Sequence, residues 1–330
     1  MEYFYCGIDV SKDSLDYAVC NQQDKNILLL EKTDNTISGI RKMIKLIERK
    51  VKSRQVWYCF EHTGHYGLLL AHILQSQQQK YSMVASIDII KSSGLTRGKS
   101  DPIDAQRIAI YAATFTHKLK PTKLQSESVL RMKTMLTIRD HYVRIRTQLK
   151  NAHKSMIITS KVVPMKTEIN DYKREIARYD IKITRLEKRI IELINQDNDL
   201  KQSYDKIIKV TGIGLITAAS ILLYTNNFKS FNNPRKFNCY CGLAPFEYTS
   251  GTSVKRKDKT SRYRNKELKK LLFNAANTAI RHDQQIKTYF NRKTKEGKHK
   301  MSVINAVACK IIYRVFAVAN RDEPYVNFSV

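Results

Sequence analysis

Two aspartates in the segment RGKSDPIDAQRIAIYAA, residues 97–113, lie three positions apart where a helical apolar pattern begins. We expect Asp101 at the helix N-cap, Pro102 at the first helical position and Asp104 at the third. Carboxylates at such positions accept hydrogen bonds from free backbone amides and suit the positive end of the helix dipole. Taken alone, the pair therefore indicates a helix cap, and the alternative is a pair of ligands for a metal ion.

Two further acids end strand patterns that are otherwise apolar. Asp9 follows the apolar residues of CGIDV, and Glu61 ends the buried-strand pattern WYCFE. A charge in such a setting is costly unless it is paired, bound to a metal or already emerging into a loop. In the sheet expected below, the first and fourth strands are neighbours and the helix after the fifth strand packs across them. The two acids would then converge with the aspartate pair at one edge.

Four carboxylates without histidine or cysteine form a hard set of oxygen donors. Such a set suits Mg²⁺ or Mn²⁺ and not zinc. Two such ions about 3.5–4 Å apart stabilise the attacking and leaving oxygens of phosphoryl transfer. The sequence therefore predicts a catalytic metal site, and its ligands are Asp9, Glu61, Asp101 and Asp104.

A second group with chemical potential is the segment CGLAPFEYTSGTS, residues 241–253. Its glycines and proline predict a constrained, turn-rich loop that contains Ser250. A serine hydroxyl is a weak nucleophile unless a base or metal activates it and cations bind the scissile phosphate. Such cations follow closely in the chain: Lys255, Arg256 and Lys259. On the residues alone a plain turn is the simpler interpretation, and other hydroxyls are equally eligible as the nucleophile: Thr249, Thr252 and Ser253.

The elements that must position the acids alternate between strand and helix patterns over residues 1–124. Three β-rich stretches come first, YFYCGIDV, LDYAVCN and KNILLLEK, and the polar turn SKDS between the first two predicts a hairpin. A helix, a strand, a helix, a strand and a further helix follow. This order predicts an α/β domain with a mixed sheet of RNase H-like arrangement.

Residues 125–200 carry apolar residues in alternating steps of three and four on either side of Pro164. The two series, 135–156 and 169–193, are heptad seams with most charges outside them. We expect two long helices paired as an antiparallel coiled-coil arm, each about 30 Å or longer at 1.5 Å per residue. No chemistry is assigned to this arm.

Residues 201–330 predict a mainly helical domain. It opens with DKIIKVTGIGLITAASILLY, in which a glycine turn joins two helices as in a helix-hairpin-helix. Backbone amides at Gly212 and Gly214 would contact a DNA phosphate, although such turns are equally common as packing. Nine Lys and Arg residues then lie between positions 255 and 270. We interpret this run as a surface that follows phosphates, not as an ordinary solvated face. The residues assigned to it are Lys255, Arg256, Lys257, Lys259 and Arg262.

The composition indicates what the chain binds. Its 330 residues include 59 Lys and Arg against 30 Asp and Glu, a formal net charge of +29. This excess favours a nucleic-acid partner, with an acidic membrane surface as the second interpretation. Charges interrupt the apolar stretches before about 20 residues and the N-terminus lacks a basic leader, so we expect a cytoplasmic protein without a membrane span. The six scattered cysteines, without CxxC spacing, predict buried, reduced thiols.

Together these motifs resemble those of the IS110 family of insertion-sequence transposases. The resemblance covers essentially the whole chain, and its landmarks are GIDVSK, FEHTG, RGKSDPIDAQRIA, VTGIG and CGLAPFEYTSG. It implies a RuvC-like DEDD domain over 1–124, a coiled coil over 125–200 and a C-terminal transposase domain with a catalytic serine over 201–330. The sequence departs from the family pattern at SRYRNKELKK, where Arg264 and not a glycine precedes Asn265.

The resemblance also implies residue roles and partners. The four acids would bind Mg²⁺, and Ser250 would be the nucleophile that forms a covalent phosphoserine link to DNA. Donor and target DNA, a structured guide RNA, and a homodimer or homotetramer would be the partners, and the protein would be nucleoid-associated when active. The expected activity is excision and insertion of a mobile element. Two alternatives stay open: a RuvC-like metal-dependent nuclease or junction resolvase that uses water, and a non-catalytic nucleic-acid-binding protein.

Overall fold

The computed structural model describes residues 3–53, 55–62, 64–93, 100–250, 254–260 and 263–321. The chain divides into two compact units, Met1–Leu124 and Gln125–Val330. The acids of the predicted metal site belong to the first unit, and Ser250 belongs to the second.

The first unit alternates strands with helices in the predicted order. Its elements are β1 (Phe4–Val10), β2 (Ser14–Asn21), β3 (Ile27–Asp34), α1 (Ile37–Val51), β4 (Val56–Glu61), α2 (Gly67–Ser76), β5 (Lys80–Val84), α3 (Ser86–Ser93) and α4 (Asp101–Thr114). The sheet has the order β3-β2-β1-β4-β5. Neighbours among β1, β2 and β3 pair antiparallel, whereas β4 pairs parallel with both β1 and β5. The expected mixed sheet, with its first and fourth strands adjacent, is therefore confirmed.

Both faces of this sheet are covered. On one face, Cys6 and Ile8 of β1 belong to a core completed by α1 and α2. On the other face, Tyr5 of β1 and Cys59 of β4 pack with α4. Strands buried on both faces read as nearly continuous apolar runs, which is why the acids at the ends of β1 and β4 stand out in the sequence.

The second unit is mainly helical, as predicted. Its elements are α5 (Glu127–Thr159), α6 (Lys166–Gln196), α7 (Asn198–Ile207), α8 (Leu215–Thr225), α9 (Pro234–Cys241), β6 (Pro245–Ser250), β7 (Val254–Thr260), α10 (Lys266–His282), α11 (Gln284–Lys295) and α12 (Lys300–Ala319). The two long predicted helices are α5 and α6. In the ion pairs Arg139–Glu187 and Arg146–Asp180, both 2.7 Å, the earlier residue of α5 contacts the later residue of α6, so the helices run antiparallel.

Residues 245–260 differ from the predicted loop and basic run. They form an antiparallel hairpin of β6 and β7, whose connecting residues 251–253 lie outside the described part of the chain. The sequence VKRKDKT of β7 lacks both the apolar alternation and the β-branched composition that identify a strand. Pairing with β6 therefore decides the conformation here, and local propensity does not.

Helix α12 bears on one expectation from composition. Within the described residues it is the one helix long and apolar enough to cross a membrane, and 44% of its apolar window is buried in the protein. Lys310 and Arg314 interrupt this helix as expected, but two charges leave it apolar enough to resemble a membrane span. The fully buried side chains of Val307, Ile311 and Val315 nevertheless place the helix in the core of the second unit.

The cysteines agree with the predicted absence of disulfides. All six are free thiols, and four of them are buried: Cys6, Cys20, Cys59 and Cys241. Burial is the main cause that raises the pKa of Cys20 to about 11 and that of Cys59 to about 12. These thiols therefore stay protonated at neutral pH.

Candidate active site

Asp9 and Glu61 occupy neighbouring positions on adjacent strands. The parallel pairing of β1 with β4 runs up to Ile8 opposite Phe60, and the two acids are the next residues on each strand. Because side chains alternate between the two faces of a strand, both acids belong to the face that α4 covers. The sheet therefore brings together two carboxylates that are 52 positions apart in the sequence.

Gly7 allows α4 to lie directly on this face. A Cβ atom built at Gly7 would overlap the backbone of α4, at the amide nitrogen of Ala109 and the carbonyl oxygen of Ala105. Only glycine therefore permits so close an approach of helix to strand. Asp9 lies two residues further along the same face, and the first turn of α4 carries both aspartates of the DPID motif.

The start of α4 differs by one residue from the prediction. Ser100 is the N-cap, with extended backbone angles of φ −154° and ψ 151°, and Asp101 is the first helical residue. The prediction that Asp101 caps the helix is wrong because Ser and Asp are similarly good N-caps and the helix boundary falls on the serine. Pro102 is consequently the second helical residue and Asp104 the fourth. Capping by Asp101, the simpler explanation of this motif, does not hold.

The surroundings of Asp9 raise its pKa, and the other three acids contribute to this shift. Its pKa is raised to about 6, first by burial and then by the negative charges of Asp101, Asp104 and Glu61, in that order. Asp16 adds the smallest contribution. A carboxyl surrounded by like charges holds its proton more tightly, and a cation bound among them would reverse that effect.

Two of these carboxylates have protein partners. The Ser86 hydroxyl donates a hydrogen bond to Oε2 of Glu61 at 2.7 Å, and Nη1 of Arg107 lies 2.9 Å from Oδ1 of Asp104. Within the described residues, no group of three or more His, Cys, Asp or Glu side chains is arranged so that it could hold a metal ion as it stands. For these four carboxylates to bind one metal ion, some of their side chains must therefore adopt other rotamers around Asp9.

Asp16 is an acid that the sequence reasoning missed. It lies opposite Asp9 in the β1–β2 register, is only 4% exposed, and has its Oδ2 3.1 Å from Nζ of Lys32 on β3. The available signal was an aspartate inside the apolar strand pattern SLDYAVC, where a charge needs a partner. Lys32 supplies that partner from a neighbouring strand of the same sheet.

Ser250 is the last residue of β6 and pairs in register with Val254, the first residue of β7. Thr249 pairs with Lys255. The basic residues Lys255, Arg256, Lys257 and Lys259 all belong to β7. Three residues named above fall outside the described part of the chain: Thr252, Ser253 and Arg262.

The chain that enters β6 is held at its backbone by two helices. Nζ of Lys269 on α10 donates to the carbonyl oxygen of Gly242 at 2.8 Å, and Nδ2 of Asn305 on α12 donates to that of Leu243 at 2.6 Å. Gly242 has a φ of +69°, and a Cβ atom there would overlap the Arg264 side chain. Burial first, and then the charge of Arg264, lowers the pKa of Lys269. Sequence reasoning missed Lys269 and Asn305 because nothing local links them to the serine.

The two glycines of the predicted helix-hairpin-helix have different surroundings. Gly212 has a φ of +95°, and a Cβ atom there would overlap the carbonyl oxygen of Ala275 on α10, so its position serves packing. Gly214 is exposed and is the N-cap of α8, which has no side-chain cap hydrogen bond. Of the two glycines, Gly214 has open space around it at the N-terminus of a helix, which a contact with a phosphate needs.

Two family models match this chain. Residues 6–159 match a model described as Transposase, the DEDD type of IS110, and residues 204–291 match one described as Transposase IS116/IS110/IS902 family. The first range contains all four predicted ligands, and the second contains the glycine turn, Ser250 and the basic strand.

Curated relatives give the same family. The chain is 26% identical to the pilin gene-inverting proteins of Moraxella lacunata and Moraxella bovis over 330 residues, which is 98% of this chain and of each relative. It is 23% identical to the transposase for insertion sequence element IS1111A of Coxiella burnetii, over 69% of this chain and 68% of that protein.

A solved structure of Thermus thermophilus RuvC in complex with a Holliday junction substrate aligns with a TM-score of 0.29 and 12% identity. The alignment covers 36% of this chain and 99% of that chain. This similarity is too weak to define the fold, which follows from the strand order itself.

Proposed function

Because the chain belongs to the IS110 family of transposases, we propose that it moves a DNA element by serine-mediated strand transfer assisted by a divalent cation. Family membership already makes it a DNA-processing enzyme of the transposase and recombinase type. The single observation that carries the finer proposal is that Asp9 and Glu61 follow the last paired positions of neighbouring strands, on the face covered by the helix whose first turn carries Asp101 and Asp104.

The donor set fits Mg²⁺ or Mn²⁺. It consists of four carboxylates in one unit, and the mutual repulsion that raises the Asp9 pKa is the kind of excess charge that a divalent cation offsets. The residues that would hold the ion are Asp9, Glu61, Asp101 and Asp104. When bound, the ion stabilises negative charge on the attacking and leaving oxygens of a phosphodiester.

The protein's own nucleophile in this proposal is the Ser250 hydroxyl. Its Oγ attacks phosphorus and forms a phosphoserine ester, while the bond from phosphorus to one deoxyribose oxygen breaks and that oxygen takes up a proton. One phosphoester bond replaces another, so a free DNA hydroxyl can reverse the step and join a new strand without any added energy source. The position of Ser250 at the end of β6, directly before the turn, supports this role.

The basic strand would bind the phosphate that reacts. Lys255 and Arg256 follow Ser250 closely in the sequence and lie in β7, which pairs with the serine's own strand. Cations at this position would offset the charge that develops on the phosphoryl oxygens. The exposed N-terminus of α8 at Gly214 offers a further phosphate contact.

We also propose that sequence selection depends on a structured guide RNA. A net charge of +29 supports tight but sequence-independent binding of backbones, which leaves sequence reading to base pairing. The expected partners are donor and target DNA, the guide RNA, and further copies of the chain in a homodimer or homotetramer. The expected location is the cytoplasm, at the nucleoid. The Moraxella relatives are named for gene inversion, which also exchanges DNA strands.

The proposal is tested by trapping the covalent link. Full-length protein is incubated with labelled element-end DNA, Mg²⁺ and co-purified RNA, and the products are separated on a denaturing gel. Ser250→Ala should abolish the protein–DNA adduct and keep DNA affinity within about twofold, because the hydroxyl is lost and no phosphate contact is removed. Ser253→Ala, three residues away, is the matched control and should keep the adduct.

Loss of the adduct in the Ser253 variant but not in the Ser250 variant would contradict the assignment. A second candidate reaction is hydrolysis by water, and it is favoured by the fact that the four acids belong to one unit and the serine to the other. Cleavage products without any adduct, unchanged in Ser250→Ala, would establish hydrolysis in place of serine attack.

A further inference from the structure

A cavity of about 580 Å³ opens in the first unit beside Glu61, one of the four acids Asp9, Glu61, Asp101 and Asp104 that we call the acid group. Its walls come from β5, α3, the second half of α4 and the segment 118–122. Ser82 and Val84, which line it, pair with Cys59 and Glu61 on β4. The cavity therefore begins on the strand position next to Glu61, at the edge strand of the sheet and on the face that carries the acids.

The cavity has a basic rim. Lys91, Lys118 and Lys120 all line it and are exposed, and Asp88 is the single acid among its lining residues. Within the described residues, none of the three lysines forms an ion pair with a carboxylate. Their charges are thus available for an anionic ligand, and the net charge at the rim is positive.

One wall of the cavity is aromatic. Tyr111 in the last turn of α4 and Phe115, the residue directly after this helix, have ring centroids separated by 5.3 Å. Nζ of Lys118 lies 4.3 Å from the centroid of the Phe115 ring. An aromatic wall with cations beside it is the combination that stacks a nucleobase and binds its phosphate.

The Tyr111 hydroxyl is a hydrogen-bond donor on the cavity-lining part of α4. The residue is only 6% exposed, yet its hydroxyl makes no hydrogen bond to any residue that the structure describes. Burial is the main cause that raises its pKa, with a smaller contribution from Asp88, so the hydroxyl keeps its proton at neutral pH. Because Tyr111 lines the cavity and its hydroxyl has no partner among the described residues, this hydroxyl can donate to a ligand acceptor in the cavity.

We propose that this cavity is a binding subsite for one nucleotide of a nucleic-acid strand that passes the acid group. Its base packs against Tyr111 and Phe115 and accepts a hydrogen bond from the tyrosine, while the three lysines bind its phosphate. The volume lies in the range of small-molecule sites, about 300–1,000 Å³, which is more than a simple anion needs. Tyr111 lies seven residues after Asp104, about 10 Å further along the same helix. A single nucleic-acid strand can therefore contact both Asp104 and the cavity.

This inference rests on the proposed function only in that the ligand is nucleic acid. Trp57 is the chain's single tryptophan, and its Nε1 donates to Oγ of Ser82 on the cavity wall at 2.9 Å. Its fluorescence therefore reports on this cavity even when DNA also binds elsewhere. Measurements on the full-length protein in EDTA, without any divalent ion, keep the result independent of strand transfer.

Three probes are titrated while Trp57 fluorescence is followed: a short single-stranded DNA oligonucleotide, thymidine monophosphate and inorganic phosphate. We expect the oligonucleotide to change the fluorescence with the highest affinity and the monophosphate to do so weakly. Tyr111→Phe should weaken both about three- to tenfold, because one hydrogen bond is lost. The double variant Lys91→Ala/Lys120→Ala should weaken the oligonucleotide more and reduce its salt dependence.

Matched controls are Tyr313→Phe, an exposed tyrosine on α12, and Lys42→Ala, an exposed lysine on α1, and both should leave the titrations unchanged. Phosphate alone giving the full response, with Tyr111→Phe without effect, would reduce the cavity to an anion site and overturn the proposal. Saturation by the monophosphate with no response to the oligonucleotide would make it a site for a free nucleotide. No change in Trp57 fluorescence with any of the three probes would also overturn the proposal. Loss of strand transfer with an intact Trp57 response would instead count against the proposed reaction alone.

Discussion

The acid group of the first unit and the serine hairpin of the second are built in opposite ways. The acids project from strands and a helix with cores on both sides of the sheet, and Gly7 lets α4 touch β1 directly. Ser250 lies on a two-stranded sheet whose second strand is mostly charged residues. That sheet is held at its entry by hydrogen bonds from α10 and α12 to two carbonyl oxygens.

The difference indicates a division of roles. A group that must hold a cation needs fixed positions, and buried strands and helices supply them. A nucleophile that must reach a DNA phosphate is better placed on a short hairpin whose sequence is rich in cations. Changes in the first region should therefore act through geometry and metal affinity, and changes in the second through the position of one hydroxyl.

The largest effect is expected at the acids. Asp104→Asn should lower Mg²⁺-dependent strand transfer at least about 100-fold, because an amide is a poorer ligand and does not offset the cation's charge. Initial rates of strand transfer, measured across Mg²⁺ concentrations, check this. Asp13→Asn, an exposed acid in the β1–β2 turn, is the control and should be unchanged. Equal rates for both variants would remove Asp104 from the metal site.

The next effect concerns the contact between β1 and α4. Gly7→Ala should destabilise the protein by about 1–3 kcal/mol, because the added methyl group forces α4 away from the sheet. Strand transfer should fall with it, since both aspartates of the DPID motif move. Chemical denaturation and transfer rates measure the two effects.

Gly67→Ala is the matched control for this change. A Cβ atom there meets the Phe60 ring at an ordinary 3.4 Å, so stability should be equal or slightly higher. A Gly7 variant as stable and active as wild type would show that the helix tolerates displacement and that fixed geometry is not required.

A smaller effect is expected at the entry to the hairpin. Lys269→Met removes the hydrogen bond to the Gly242 carbonyl and should lower adduct formation about three- to tenfold. DNA affinity should change little, because Lys269 donates to a backbone carbonyl oxygen and belongs to α10, not to the basic strand β7. Lys270→Met removes the neighbouring exposed lysine and should keep adduct formation. Greater loss in the Lys270 variant would show that charge, and not anchoring, matters at this end of α10.

The smallest effect is a pH-dependent gain in stability for Asp9→Asn without divalent ions. The folded pKa of about 6 exceeds the ordinary 3.8, so wild-type stability falls as pH rises through this interval. The variant lacks the ionised group, so its advantage should grow through the same interval. The full shift corresponds to about 3 kcal/mol, which screening by solvent at this partly exposed carboxyl reduces to about 1–2 kcal/mol. Urea denaturation in EDTA at about pH 4 and about pH 8 measures it. A variant less stable than wild type at the higher pH would contradict the repulsion.

The sequence predicts the first unit well because its strands are apolar runs with acids at their ends. The antiparallel start, the parallel β1–β4 pair and the position of α4 follow from that order. What it could not predict is the contact at Gly7, since a glycine in a strand does not identify the helix that needs it. The helix start was misplaced by one residue because Ser100 and Asp101 are both good caps.

The second unit was harder to predict where long-range contacts decide the structure. Heptad spacing identified α5 and α6, but the charged strand β7 has no local strand signal. Lys269 and Asn305 act on backbone groups 27 and 62 positions away, and no spacing rule connects such residues. Tyr111 lies within the apolar pattern of α4 and carries no local signal of a ligand site, so only the fold shows that it lines a cavity.

The most direct measurement is Mn²⁺ binding to the full-length protein, followed by electron paramagnetic resonance of the free ion. Single variants Asp9→Asn, Glu61→Gln, Asp101→Asn and Asp104→Asn are compared with the control Asp13→Asn. If the four carboxylates share a cation, each should weaken Mn²⁺ binding at least about tenfold and the control should bind as wild type does. Wild-type affinity in any two of the four variants, or no Mn²⁺ binding by the unaltered protein, would contradict a shared metal site.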